Sequence, residues 1–200
     1  MRVFVGCEYS GVVRDAFAAA GHDAWSCDIL PTDSPGNHYQ GDIFEALEEL
    51  GSFDLGIFHP PCTYLCNSGA RHLHTDDSRW SKLDDAGDFF RRILDLPISR
   101  VAVENPIPHK YAVERIGRKY DQIVQPWMFG HAESKSTCLW LKGLPKLKET
   151  DNVREEFKAL PKKVAQRILY MPPSKDRWRL RSTTYKGIAE AMAQQWGCPQ

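Results

Sequence analysis

The 200-residue chain lacks the features that define several broad classes of protein. No apolar run approaches the roughly eighteen residues that a membrane helix needs, so no bilayer span is expected. There is no excess of either charge: 26 Lys and Arg offset 26 Asp and Glu, and with 42% apolar residues this excludes the disordered class. The N-terminus shows no basic region and no small-residue cleavage site. Met1 to Val5 enters an apolar segment at once and reads as a buried first strand. Six cysteines (Cys7, Cys27, Cys62, Cys66, Cys138 and Cys198) are too few and too irregular for a disulfide scaffold, so a reducing cytoplasmic setting is expected. Internal repeats and low-complexity segments are also missing.

What is present is unevenly distributed. Residues 1–141 hold 13 basic and 20 acidic side chains, whereas residues 142–186 hold 13 basic and 5 acidic. A basic C-terminal third beside an acidic body suggests one face meant for an anion, of which nucleic acid is the commonest large example. A solvated lysine-rich surface is the alternative, and Lys142, Lys146 and Lys148 fit it as well.

The first half alternates short apolar runs with amphipathic stretches, the pattern of a parallel sheet with crossover helices. Strands are expected at Val3 to Val5, Ala24 to Asp28, Leu55 to Phe58 and Arg100 to Val103. Helices are expected where Val12, Val13, Ala16, Phe17 and Ala20 recur, at Phe44 to Leu50, and at Lys82 to Leu94. Thr63 to Trp80 shows no apolar periodicity and reads as a long loop, a length usually reserved for lids or binding segments. Gln122 to Gln125 and Cys138 to Leu141 read as an antiparallel pair, residues 143–182 as irregular and basic, and Lys186 to Trp196 as a closing helix.

Three strand ends carry chemistry. The first runs Gly6-Cys7-Glu8-Tyr9-Ser10-Gly11, with Asp28 closing the next strand. Glycines there let a backbone approach a ligand, and a strand-end acid can accept hydrogen bonds from both hydroxyls of a ribose, which together signal a nucleoside cofactor. A tight structural turn explains the same glycines. Asp42, between Gly41 and Ile43, could reach an adenine amino group or simply cap a helix. The second end, His59-Pro60-Pro61-Cys62, sets a thiol at the sheet edge where open α/β folds bind ligands. That thiol becomes a nucleophile if a base or positive field favours thiolate. The third is Glu104-Asn105-Pro106, whose glutamate follows Val101-Ala102-Val103 and is expected either to have its pKa raised by partial burial or to be an ordinary solvated strand-end carboxylate. Cys62, Cys66, His72 and His74 do not have the spacing of a zinc knuckle, and no metal is expected. His22, His38 and His109 stand alone and read as surface or hydrogen-bonding residues.

In order and identity these units resemble the DNA cytosine-5 methyltransferase family, in the compact form found in phages and prophages. The resemblance covers residues 1–141 and the closing helix around Gly187 to Trp196. It implies an α/β, Rossmann-like S-adenosylmethionine-dependent methyltransferase fold, with a mostly parallel sheet, helices on both faces and a small irregular basic insertion. The implied division is a catalytic core over 1–142, a reduced target-recognition region over 143–182 and a returning C-terminal helix over 183–200. S-adenosyl-L-methionine is the implied cofactor. Gly6, Cys7, Glu8, Tyr9, Ser10 and Gly11 would form its loop, and Asp28 and Ile29, Asp42 and Ile43, and Pro60 would complete its site. Cys62 sits like the nucleophile, Glu104 and Asn105 match the pair that grips the target pyrimidine, and Ser68 to Arg71 resembles the loop that follows the nucleophile.

Departures from the family pattern are specific. Thr63 replaces Gln, Pro106 replaces Val, and Glu133 to Thr137 stands where a Gln-x-Arg-x-Arg motif is expected, with Lys135 supplying one of two lost charges. By this reading Cys62, Glu104 and Lys135 are catalytic, while Ser68, Arg71, Asn105, Arg177, Arg179, Arg181 and Lys186 meet the substrate or its phosphates. The implied substrate is DNA, duplex or single-stranded, or a free pyrimidine nucleotide. An amino-methylating enzyme would favour Asp or Asn before the prolines and an aromatic after them, where His59 and Cys62 stand. An inert DNA-binding or host-factor-binding relative is the non-catalytic alternative.

Overall fold

A computed structural model describes residues 1–198. Seven strands form one sheet: β1 (Arg2–Gly6), β2 (Asp23–Asp28), β3 (His38–Gln40), β4 (Leu55–Phe58), β5 (Val101–Pro106), β6 (Gln122–Val124) and β7 (Thr137–Lys142). Their order is β3-β2-β1-β4-β5-β7-β6, parallel from β3 to β5, with β7 antiparallel to both neighbours. This is the α/β, Rossmann-like sheet that the alternation and the resemblance implied.

Strand alternation sorts the core into two layers. Val3 and Val5 point to one face, where they meet Val13 and Phe17 of α1 (Val12–Ala19). Phe4 points to the other, against Ile43 and Ala46 of α2 (Ile43–Leu50) and, beyond them, Phe90 and Ile93 of α3 (Ser78–Leu94). Helices therefore cover both faces of a sheet whose central strands are apolar on both sides. The C-terminal helix, Lys186–Trp196, returns to pack on α1, burying Ile188, Met192 and Trp196 in the first layer. Positions 199 and 200 of the segment expected over 183–200 lie outside the described residues.

Buried on α1, Arg14 ties down the segment after β2. Its guanidinium donates to Ser26 Oγ (3.1 Å), Thr32 Oγ1 (3.2 Å) and the Ser34 carbonyl (2.9 Å), and it pairs with Asp15. A buried guanidinium is tolerated because its donors are answered in this way.

Several elements differ from the sequence expectations. β3 is a three-residue edge strand, too short to show periodicity. A further helix, α4 (Lys110–Ile116), begins after His109, whose ring Nδ1 accepts from the Ala112 N–H at 3.0 Å. Histidine is outside the usual set of capping residues, so this start carried no recognisable signal. The supposed loop from Thr63 to Trp80 contains a 3₁₀ helix, Asn67–His74, and α3 starts at Ser78. β5 runs on through Glu104 and Asn105 to Pro106, paired with Leu139, Cys138 and Thr137 of β7. Residues 143–182, expected to be irregular, hold four short helices: α5 (Arg154–Ala159), α6 (Lys162–Ala165), α7 (Arg167–Tyr170) and α8 (Arg177–Ser182). They bury little, chiefly Ala165 and Ile168. The C-terminal helix is α9.

Trp196 is fully buried, and its indole N–H donates to the Pro145 carbonyl at 2.9 Å. Truncation by Trp196→Ala is expected to cost about 3–5 kcal/mol, read as a lowered denaturation midpoint.

Candidate active site

The strand order reverses between β1 and β4, so a crevice opens beyond their C-terminal ends. A cleft of about 140 Å³ lies there. It is lined by Cys7 to Ser10 after β1, His59 to Cys62 after β4, Glu104 to Pro106 at the end of β5, Lys135 before β7, and Arg181 to Thr184 from the C-terminal third. Residues from five separate stretches of chain thus meet at one point, among them Cys62, Glu104, Asn105 and Lys135.

His59 and Glu104 form the centre of this cleft. The Nδ1 of His59 lies 2.7 Å from Glu104 Oε2, and the two side chains are only 12% and 11% exposed. Burial alone would raise the Glu104 carboxyl, but the hydrogen bond and charge of His59, then the charge of Lys135 and a contact from Thr184, hold it below its ordinary range. Burial would depress His59, yet the hydrogen bond and charge of Glu104 and the charge of Glu8 hold it up. The raised Glu104 pKa expected from sequence is therefore corrected: the strand end is buried, but a cation is buried with it. The His59 Nε2 has no hydrogen-bond partner among the described residues.

Asn105 joins two strand ends by donating from Nδ2 to the Pro60 carbonyl at 2.8 Å, while its Oδ1 is buried without a partner among the described residues. Cys62 follows the two prolines, and its carbonyl accepts from Leu65 and Cys66 N–H, both at 3.0 Å. That turn brings Cys66 back towards Cys62. The Cys62 thiol is pushed up, first by its hydrogen bond to Cys66 and then by burial. Cys66 is pushed down to about 5 by Cys62 and by donors from Ser68 and Gly69, with Ser68 Oγ at 3.0 Å. The two thiols are thus coupled, and Cys66 is the one favoured as thiolate.

On the cofactor side, several expected residues also have structural partners. Glu8 is buried, accepting from Val13 N–H (2.6 Å) and Arg14 N–H (3.2 Å), so it caps the start of α1. A Cβ on Gly6 would meet the Phe58 ring at 2.5 Å, and one on Gly11 would meet the Arg14 guanidinium at 2.5 Å. Close packing and a turn at φ 74° thus require glycine at these two positions. Asp42 caps α2 through Phe44 N–H at 2.8 Å, and Ile43 is buried beneath that helix. The capping role is the one that stood open beside adenine binding.

Asp28 and Ile29 lie outside the cleft, at the neighbouring end of β2. One carboxylate oxygen of Asp28 accepts from Leu30 N–H at 3.0 Å, and Ile29 beside it is 76% exposed. An acid next to an exposed apolar side chain suits the hydroxyls and flat ring of a nucleoside. The donor set present therefore fits a nucleoside cofactor held by Asp28, Ile29, the Cys7 to Ser10 turn and Pro60.

The basic residues divide. Arg181 lines the cleft, and with Arg177, Ser174 and Trp178 it also lines an adjoining hollow. Arg179 is paired with Asp33 and lies over the Tyr9 ring. Tyr9 in turn bonds Ser182 Oγ at 2.9 Å and packs against Trp178, clamping α8 over the β1 turn. Lys186 faces a separate hollow beside Glu190. Ser68 and Arg71 are exposed on the 3₁₀ helix and do not line the cleft. That helix is anchored by Asn67 N–H to the Ile107 carbonyl (3.1 Å), and His109 Nε2 holds the Tyr64 carbonyl just before it (2.8 Å).

Sequence reasoning did not find the partnership of His59 with Glu104, the coupling of Cys66 to Cys62, or the Ser182 to Thr184 wall. The adjacency of His59 to the two prolines and Cys62 was the one signal available. No group of side chains among the described residues could hold a metal ion, and no described helix is long and apolar enough to cross a membrane.

No protein-family model matches the chain, and no curated protein does. Among solved structures, one described as a DNA modification methyltransferase encoded within a prophage (E. coli) aligns over 81% of this chain with TM-score 0.48 and 18% identity. The aligned part spans 56% of that protein's chain.

Linkage of the buried pair to folding has a definite sign. Raised His59 stabilises fully below about 6.5 and loses that contribution as pH rises through its folded pKa; depressed Glu104 stabilises above about 4.5 and loses it as pH falls through its own. Denaturant titrations across pH are expected to show the cost of Glu104→Gln largest between those values. Peptide mapping after limited iodoacetamide treatment near neutral pH is expected to find Cys66 alkylated ahead of Cys62, because the thiolate is the reacting form.

Proposed function

We propose that this chain is an S-adenosylmethionine-dependent DNA methyltransferase that acts at carbon 5 of cytosine through a transient covalent bond to Cys62. The observation that carries the reading is the meeting of Cys62, Glu104, Asn105 and Lys135 in one cleft at the β1/β4 switch point. When bound, the cofactor supplies an electrophilic methyl group. Asp28 would hold its ribose hydroxyls, Ile29 and Pro60 its ring, and the Cys7 to Ser10 turn the remainder.

Carbon 5 of cytosine is too weak a nucleophile to react unaided, which is the reason for a thiol. The Cys62 sulfur bonds to carbon 6 as its proton leaves to water, and the electrons displaced from the ring are relieved by a proton delivered to N3 through Glu104. Carbon 5 then takes the methyl group. Loss of the carbon 5 proton to water, departure of the Cys62 sulfur and return of the N3 proton to Glu104 restore the aromatic ring. Lys135, reaching the Thr183 carbonyl at 3.3 Å, faces the Glu104 side of the cleft and supports the negative charge that the ring develops. Asn105 holds the Pro60 turn, and with it Cys62, in register with β5.

A base in duplex DNA must leave the stack to reach this cleft. Arg181 and Arg177 are the cations best placed for the flanking phosphates. The shortness of the stretch 143–182 favours a second reading, the same chemistry on single-stranded DNA or a free pyrimidine nucleotide, because base-edge readout of a duplex needs several hundred Å² of surface.

Labelled S-adenosylmethionine, offered with duplex DNA, single-stranded DNA or deoxycytidine monophosphate and followed by nucleoside mass spectrometry, is expected to yield 5-methylcytosine. Cys62→Ala is expected to lower the rate by roughly 10³-fold or more with folding intact. Product methylated on an exocyclic nitrogen, or undiminished activity in Cys62→Ala, overturns the reading.

A further inference from the structure

We infer that His59 is a positioning residue that stores the proton which Glu104 delivers to the pyrimidine ring; the inference rests on the function proposed above. The pair is built for exchange, with Nδ1 and Oε2 at 2.7 Å and both side chains nearly closed to solvent. His59 is also fixed in place. Its backbone N–H donates to the Gly6 carbonyl at 3.0 Å, and Pro60 and Pro61 follow it directly, so the turn that aims Cys62 also aims the imidazole.

Chemistry supplies the need. Glu104 is held ionised in the resting site, and a carboxylate without a proton cannot protonate N3. An imidazolium at hydrogen-bond distance removes that obstacle. As sulfur bonds to carbon 6, a proton moves from His59 Nδ1 to the Glu104 carboxyl and a proton passes from the carboxyl to N3, leaving neutral imidazole. When the sulfur departs, the ring electrons return and the proton travels back along the same path. No oxidant or further reactant is consumed.

The electrostatic setting favours the stored proton. The Glu104 carboxylate from β5 and the carboxyl of Glu8, from the turn after β1 and itself pushed up by burial, face His59 and favour its charged form, and Lys135, from the segment before β7, opposes them as a cation. Asp28 at the end of β2 also feels the His59 charge. The buried Nε2 has no partner among the described residues, so Glu104 is the one side chain there that hydrogen-bonds the ring.

The test is the pH dependence of kcat in the full chain with its methyl donor and the best of the three cytosine substrates. In the wild-type protein the descending alkaline limb is expected to share its midpoint with the His59 imidazole titration followed by NMR. In His59→Gln, which keeps a hydrogen-bonding side chain but no exchangeable charge, kcat near pH 8 is expected to fall at least about tenfold, with its limb shifted to lower pH and KM little changed. A limb that does not coincide with the imidazole titration overturns the inference, and this measurement needs no variant. A His59→Gln profile that superposes on wild type after scaling also overturns it, showing a merely structural role. In both cases methylation by wild type and its loss in Cys62→Ala leave the proposed function standing. A wild-type protein that methylates no cytosine substrate overturns both.

Discussion

A carboxylate and an imidazole cannot be taken out of water one at a time without several kcal/mol of cost each, and the His59–Glu104 contact is how this protein buries both. The rest of the site depends on that constraint. Because β4 and β5 are parallel neighbours, their last residues reach the same edge, and the ion pair locks the two exits together. Asn105 adds a second lock through the Pro60 carbonyl, so the Cys62 turn is held from both sides.

The C-terminal third completes the enclosure from a distance. Its helices bury few side chains, but α8 is attached at a defined place: Tyr9 meets Ser182 and Trp178, and Arg179 pairs with Asp33. Basic residues that looked equivalent in the sequence consequently do different work. Arg179 helps to hold the fold, while Arg181 faces the cleft. Thr184 and the Thr183 carbonyl, from the same stretch, reach Glu104 and Lys135. The cleft is thereby closed by chain that lies far from it in sequence.

Much of the framework was legible beforehand. Apolar alternation marked β1, β2, β4 and β5, and helical spacing marked α1, α2, α3 and α9, since periods of two and 3.6 reflect which face each residue turns to the core. Elements too short to complete a period, such as β3 and the four helices of 143–182, were not. α4 escaped because a histidine ring does the work usually left to a serine or aspartate. Among site residues, Cys62 and Glu104 announced themselves by standing at strand ends, where a sheet exposes ligands. Glycines were less informative: Gly6 and Gly11 sit where a cofactor loop would need them, and a phenyl ring and a guanidinium beside them give a packing reason for the same residues.

The order of residues along the chain determined the α/β layering, the strand ends and the chemical types gathered at them, because those follow from neighbours a few positions apart. Tertiary structure alone decided that His59 and Glu104, 45 positions apart, touch. It also decided that Glu104 is held ionised against its burial, and that Cys66 lies beside Cys62. Proton affinity depends on desolvation and on charges a few ångströms away through space, and neither distance is written in sequence separation.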